Sequence, residues 1–241
     1  MAQRYPKPPI TEAVFEFRFQ TEFSERDRVR LRDRFKRRYP AIDEQRAVEV
    51  QIGPGGVNTS SRLVGYKQTA PNGCDLVIIQ MANFDSIRLA PYQGWETFIQ
   101  TARDNFDEFT KVVGRLQVVR LATRFLNRID IPMKVVEGRD LTVFTKLGVA
   151  LPEALSNGVG PYSLAVNFVE PNTGVKILLQ SGLVSPPLLE HVSLSIDIDA
   201  YIDADLPARI DAVWELSEKL REAKNAVFEG IITDEARKLF S

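Results

Sequence analysis

The stretch Val118–Pro132, VVRLATRFLNRIDIP, constrains this chain more than any other. Its odd positions from Val119 to Ile131 are mostly apolar. Its even positions place Arg120, Arg124 and Arg128 on the opposite face. A period of two is the signature of a half-buried strand. At the rise of a strand, successive arginines of this ladder stand about 13 Å apart, so each can take its own partner.

Ile10–Gln20 alternates in the same way. Ala13, Phe15, Phe17 and Phe19 share one face, and Glu12, Val14, Glu16 and Arg18 share the other. Arg4–Pro9 ahead of it is extended, because a residue before proline is pushed out of the helical region. Ser24 is placed to cap a helix with Glu25 and Asp27 in its first turn and Lys36, Arg37 and Arg38 at its end, the polarity that a helix dipole favours. Leu31 and Phe35 are its buried stripe, and Pro40 ends it.

Strands are expected at Ala47–Ile52, Arg62–Thr69, Leu76–Met81 and Ser86–Ala90. A GPGG turn lies at Gly53–Gly56 and a PNG turn at Pro71–Gly73. Trp95, Phe98, Phe106 and Phe109 mark an amphipathic helix ending near Gly114. After Val118–Pro132 the pattern predicts a short helix at Asp140–Leu147 capped by Asp140. Strands follow at Ser163–Val169, Val175–Gln180 and Val192–Ile202. A long helix runs from near Pro207 to Gly230, and Thr233 caps a last short one.

The order strand, helix, strands, helix thus occurs twice. It predicts an α+β fold, a single domain of two repeats over 1–116 and 117–241. One curved, mainly antiparallel sheet would carry its helices on one face, with the first strands of the two repeats adjacent at its centre. That order resembles the saddle of the TATA-box-binding protein, although fold alone carries no function. Four segments carry a second resemblance: RYPKPPITEAVFEFRF at Arg4–Phe19, PYQGWETF at Pro91–Phe98, RLATRFLNRIDIP at Arg120–Pro132, and NAVFEGIITDEA at Asn225–Ala236. In that order they resemble a sporadically distributed family of uncharacterised prokaryotic proteins. That family often has a histidine in its C-terminal helix, where this chain has Arg221-Glu222-Ala223. The resemblance implies no reaction.

Charge narrows the function classes. Lys and Arg total 31 against 32 Asp and Glu, for a formal net charge of −1, so bulk charge does not drive binding to nucleic acid or membranes. Locally, Ser24–Arg38 holds eight Lys/Arg against three Asp/Glu, and Ser185–Ser241 holds six against twelve. One cysteine, Cys74, excludes an internal disulfide and a multi-cysteine zinc site. One histidine, His191, excludes motifs that need two. No signal-peptide core and no membrane-spanning apolar run are present, and the chain is expected to be cytoplasmic.

Three constellations could carry chemistry. Arg120, Arg124 and Arg128 could clamp phosphates or carboxylates. Alternatively they could pair within the sheet with Glu12, Glu16, Asp197 and Asp199, cross-strand pairs worth about 0.2–1 kcal/mol each. In EHVSLSIDIDAYI, Glu190–Ile202, the residues His191, Ser193, Ser195, Asp197, Asp199 and Tyr201 share a face. Alternate residues on one strand stand about 7 Å apart in a line and cannot converge as a triad. Asp197 and Asp199 could offer oxygen ligands to a cation, but further ligands are missing. Arg26, Arg30 and Arg34 of the basic helix could track a phosphate backbone.

No phosphate loop, GxGxxG, HExxH or GxSxG is present, so no cofactor and no metal is expected. The first reading is a non-catalytic binding or protein-interaction module, with another protein or a second copy as partner. A nucleic-acid-associated regulator using the basic helix is the alternative, and a metal-dependent hydrolase built on the acidic strand is a second. An exposed apolar patch favours the first, steep salt dependence the second, and an enclosed acidic pocket the third.

Overall fold

The structure, a computed structural model, describes residues 4–53, 56–136, 141–148 and 162–241. Its strands are β1 (Ile10–Phe19), β2 (Ala41–Gly53), β3 (Gly56–Thr69), β4 (Asp75–Ile79), β5 (Asn83–Leu89), β6 (Val118–Pro132), β7 (Ser163–Val169), β8 (Lys176–Val184) and β9 (His191–Ile202). Its helices are α1 (Glu25–Phe35), α2 (Trp95–Val113), the single turn α3 (Met133–Val136), α4 (Ile210–Ile231) and α5 (Asp234–Lys238).

Among the described residues the strands form one nine-stranded antiparallel sheet in the order β2-β3-β4-β5-β1-β6-β9-β8-β7. This corrects the expected saddle of two like repeats. The first half gives five strands and an eleven-residue helix after the first of them. Among the described residues the second half gives four strands, and those between β6 and β7 hold α3 and a 3₁₀ turn at Leu141–Val143. Alternation reports which face of a strand is buried; it does not report how many strands pair in one sheet, and equal element order had stood in for equal structure. The Asp140 cap and the Pro54-Gly55 turn lie outside the described residues. β1 and β6 are adjacent and antiparallel at the centre, with Phe15 opposite Thr123 and Phe17 opposite Leu121.

One sheet face is covered by α1, α2 and α4. Phe15, Phe17 and Phe19 of β1 and Leu121, Phe125 and Ile129 of β6 are buried there. Phe17 meets Phe106 of α2 with ring centroids 4.2 Å apart, and Phe15 stacks on Trp214 of α4 at 5.4 Å. Each such ring removes about 150–250 Å² from water, which makes this layer the main source of stability. Asn105 and the Gln68 amide nitrogen, caught in it, are partnered, while the Gln68 amide oxygen is buried without a partner. Asn105 accepts from Tyr39 Oη at 3.0 Å and donates to Ser86 Oγ at 2.8 Å. Gln68 donates to the carbonyls of Arg32 and Tyr39.

The expected caps form. Ser24 accepts from Asp27 N–H and Thr233 from Ala236 N–H. Gly114 follows α2, as its place after the last aromatic position implies. α4 starts at Ile210 rather than near Pro207 and runs through Gly230 to Ile231, because no left-handed turn falls at Gly230. At Gly65, next to the Tyr66–Ile79 pair of β3 and β4, a Cβ would lie 2.0 Å from the Ile79 carbonyl oxygen, so only glycine fits.

Candidate functional site

The arginine ladder lies on the sheet face opposite the helices. Register places Arg124 opposite Asp199 and Leu126 opposite Asp197. Arg120 bridges Glu16 of β1 and Asp199 of β9, the latter at 2.6 Å, and its guanidinium lies 4.4 Å from the Tyr201 ring. Arg124 makes a two-pronged contact with Asp197, Nε to Oδ1 at 2.9 Å and Nη2 to Oδ2 at 2.5 Å. Arg128 pairs with Asp130 at 3.0 Å, which also accepts from Ser193 Oγ at 2.5 Å. Burial alone would lower the Arg120 guanidinium pKa, but Asp199 and Glu16 raise it. Burial holds the Asp199 carboxyl above the usual range despite Arg120.

All three ladder arginines are therefore spent on carboxylates of the same sheet. Glu12 makes no ion pair among the described residues, while Glu16, Asp197 and Asp199 all do. The polar face of β9 is less open than its residue types suggest: Ser193 and Asp197 are buried, Ser193 donating to Asp130 and Asp197 paired with Arg124. Asp197 and Asp199 bind guanidiniums, which removes them as a cation site. Asp85 of β5, opposite Glu16, has one carboxylate oxygen sealed without a partner. Burial, then the charge of Glu16, pushes its pKa up to about 8.

The basic helix is only in part a free cationic face. Arg34 pairs with Glu108 of α2, Arg30 with Asp27 at 3.3 Å, and Arg28 is buried, donating to the Phe23 carbonyl. Arg26 is exposed.

On the helix side a cavity of about 780 Å³ opens between the lead-in to β1, the loop before α2, and α4. Each wall is fixed by named contacts. The lead-in is strapped down by Lys7 N–H to the Phe240 carbonyl at 3.1 Å and by Arg128 N–H to the Pro9 carbonyl at 2.8 Å. Tyr5 Oη donates to both Glu229 oxygens at 2.8 and 2.9 Å, and Arg237 holds the same carboxylate at 3.0 Å. Burial and that hydrogen bond push the Tyr5 pKa up to about 12.

Arg88, paired with Asp75 at 3.0 Å, donates to the Pro91 carbonyl and anchors the loop that carries Tyr92. Gly94 opens α2 at φ +107°, a conformation costly to any side chain. Trp95 Nε1 donates to Glu218 of α4 at 2.6 Å. Inside this frame Lys224 Nζ sits 3.9 Å from the centroid of the Phe125 ring. No carboxylate pairs with it among the described residues. Burial, reinforced by the charge of Arg221, lowers its pKa to about 7, and Glu229 opposes that shift.

The charge patterns single out neither the cavity nor Lys224. The available signal was indirect. Tyr5, Tyr92, Trp95, Asn127, Asn225 and Phe228 line the cavity, and they come from the four segments on which the family resemblance rests.

No family model matches the chain, and no curated protein matches it. Among solved structures, the crystal structure of the di-domain ARO/CYC BexL from the BE-7585A biosynthetic pathway aligns over 95% of this chain and 98% of that one. The two are 11% identical, with a TM-score of 0.17, a likeness too slight to bear on fold or function. Among the described residues no helix is long and apolar enough to cross a membrane.

Proposed function

We propose that this chain is a binding module whose ligand site is the cavity beneath α4. The observation that carries the reading is the convergence of four chain-distant segments on one pocket that encloses an amine without an acidic partner. A cavity of a few hundred Å³ whose wall combines aromatic and proline side chains with convergent polar groups and a perturbed titratable residue is a usual form of a small-molecule site. The ladder supports the same assignment by elimination, since its guanidiniums already have partners. The test is native mass spectrometry of the protein isolated from its own cells. A bound small molecule should accompany the wild type and be lost from Trp95→Leu and Lys224→Met; retention by both variants overturns the reading.

A second reading, a protein-interaction module, has one observation in its favour. Val48, Val50 and Val57 share a face of the β2–β3 hairpin and are 62%, 54% and 64% exposed. A two-stranded hairpin is marginal by itself, and a partner protein laid on that face would stabilise it. Replacing Val48 and Val50 with serine should release such a partner in a pull-down and leave the cavity ligand bound.

A further inference from the structure

We infer that the ligand of the cavity carries one anionic group, a carboxylate or a phosphate, that seats on Lys224, while a flat apolar body lies against Tyr92 and the lead-in prolines. The inference rests on the cavity being the binding site and adds the chemical class of what enters it. It follows from the charges around the pocket, taken from every element that packs there.

α4 contributes Arg221, Lys224 and Glu229. The first turn of α2 contributes Glu96; the loop before it contributes Tyr92; the lead-in contributes Arg4 and Tyr5. β6 contributes Phe125 beneath Lys224 and the uncharged Asn127. Arg221 is engaged by Glu96 at 3.3 Å and Glu218 at 3.2 Å, and Glu229 is engaged by Arg237 and Tyr5. Every enclosed charge is thus matched except that of Lys224. The remaining cation, Arg4, is exposed at the mouth.

Lys224 is half-buried, with its ammonium held over the Phe125 ring; an ammonium partly withdrawn from water without a counterion is costly, and an arriving anion lowers that cost. The Phe125 ring fixes the ammonium by its negative face and leaves the opposite side of the group free for an acceptor. Tyr92 and the lead-in Pro6, Pro8 and Pro9 give one side of the cavity an apolar surface that suits a planar body, with the buried Trp95 behind it under the Arg221 guanidinium.

Binding of an anion favours the charged amine, so binding takes up a proton. In the empty cavity the amine is half charged near pH 7. Above that pH the anion must bring the proton with it, and affinity should fall by up to about tenfold per pH unit.

The test is isothermal titration calorimetry with three probes of one shape: naphthoate, naphthyl phosphate and neutral naphthamide, against wild type and Lys224→Met. The wild type should bind at least one of the two anions tenfold or more tightly than the amide. The better anion names the natural head group. Lys224→Met should lose that preference yet bind the amide as before, and the affinity for the anion should fall between about pH 7 and pH 8 in the wild type alone. If the amide binds as well as both anions, the anionic ligand is wrong and the cavity reading stands. If none of the three binds, the cavity reading falls with it.

Discussion

Replacing Arg120 with methionine removes the one cation between two carboxylates. Arg120, Glu16 and Asp199 have side chains only 14%, 19% and 16% exposed. One oxygen of Asp199 and one of Asp85 already lack partners. Without the guanidinium, Asp199 loses its ion pair and Glu16 keeps only that with the half-exposed Arg18 at 3.4 Å. Breaking a fully buried pair costs about 3–5 kcal/mol, because the remaining charge stays desolvated. The partial exposure here brings the expected loss to about 3 kcal/mol. For a chain of this size that lowers the melting temperature by about 6–12 °C.

The loss should also depend on pH. Burial holds Asp85 and Asp199 above their unfolded values, and removing the guanidinium raises both further. A carboxyl so raised binds a proton in the folded state that the unfolded state releases. Its cost is therefore absent below the unfolded value and grows as pH rises toward the folded one. The deficit of Arg120→Met should be largest near pH 8 and shrink on acidification toward pH 5. Urea denaturation across that range reads it. A loss below 1 kcal/mol, or one that does not change with pH, refutes the claim that the ladder is a desolvated ion-pair network.

Arg124→Met should cost about 1–2 kcal/mol by the same assay, less than Arg120→Met because Arg124 is 46% exposed, although the Asp197 side chain left behind is only 11% exposed. Asp85→Asn should stabilise the protein near pH 8 and flatten the decline in wild-type stability expected as pH rises from about 4 to 8, a slope of up to about 1.4 kcal/mol per unit. Lys224 gives the opposite sign. Its folded pKa of about 7 lies below the unfolded value, so its contribution rises between pH 7 and about 10, and Lys224→Met should abolish that rise and be the more stable protein at pH 6. Gly65→Ala should destabilise by about 1–3 kcal/mol in thermal melts, because the new methyl meets the Ile79 carbonyl.

What the sequence revealed follows what each signal encodes. The alternation of Ile10–Phe19 and Val118–Pro132 identified the buried faces, because a half-buried strand must alternate. Ser24 and Thr233 identified helix starts, because the side chain that closes the cap is local. The pairing of Arg120 and Arg124 with Glu16, Asp197 and Asp199 was visible as like faces of neighbouring strands. Which carboxylate serves which arginine was not, because it depends on register. The two-repeat saddle was overread from element order. Lys224 gave no local sign of burial. It stands among Glu222, Asn225 and other polar residues of α4, and what encloses it arrives from Tyr5 and Tyr92, far away in the chain.

The two tryptophans provide a direct measurement of the site. Trp95 lines the cavity, whereas Trp214 packs among Phe15, Phe17 and Phe106 with Arg103 over its ring. Their indole N–H signals can be followed by nitrogen-15 NMR while naphthoate or naphthyl phosphate is added. Binding beneath α4 predicts a saturable shift of the Trp95 signal, with the Trp214 signal unmoved and the Trp95 shift reduced at least tenfold in apparent affinity in Lys224→Met. A Trp95 signal that stays in place while the protein binds either probe would contradict the cavity as the ligand site.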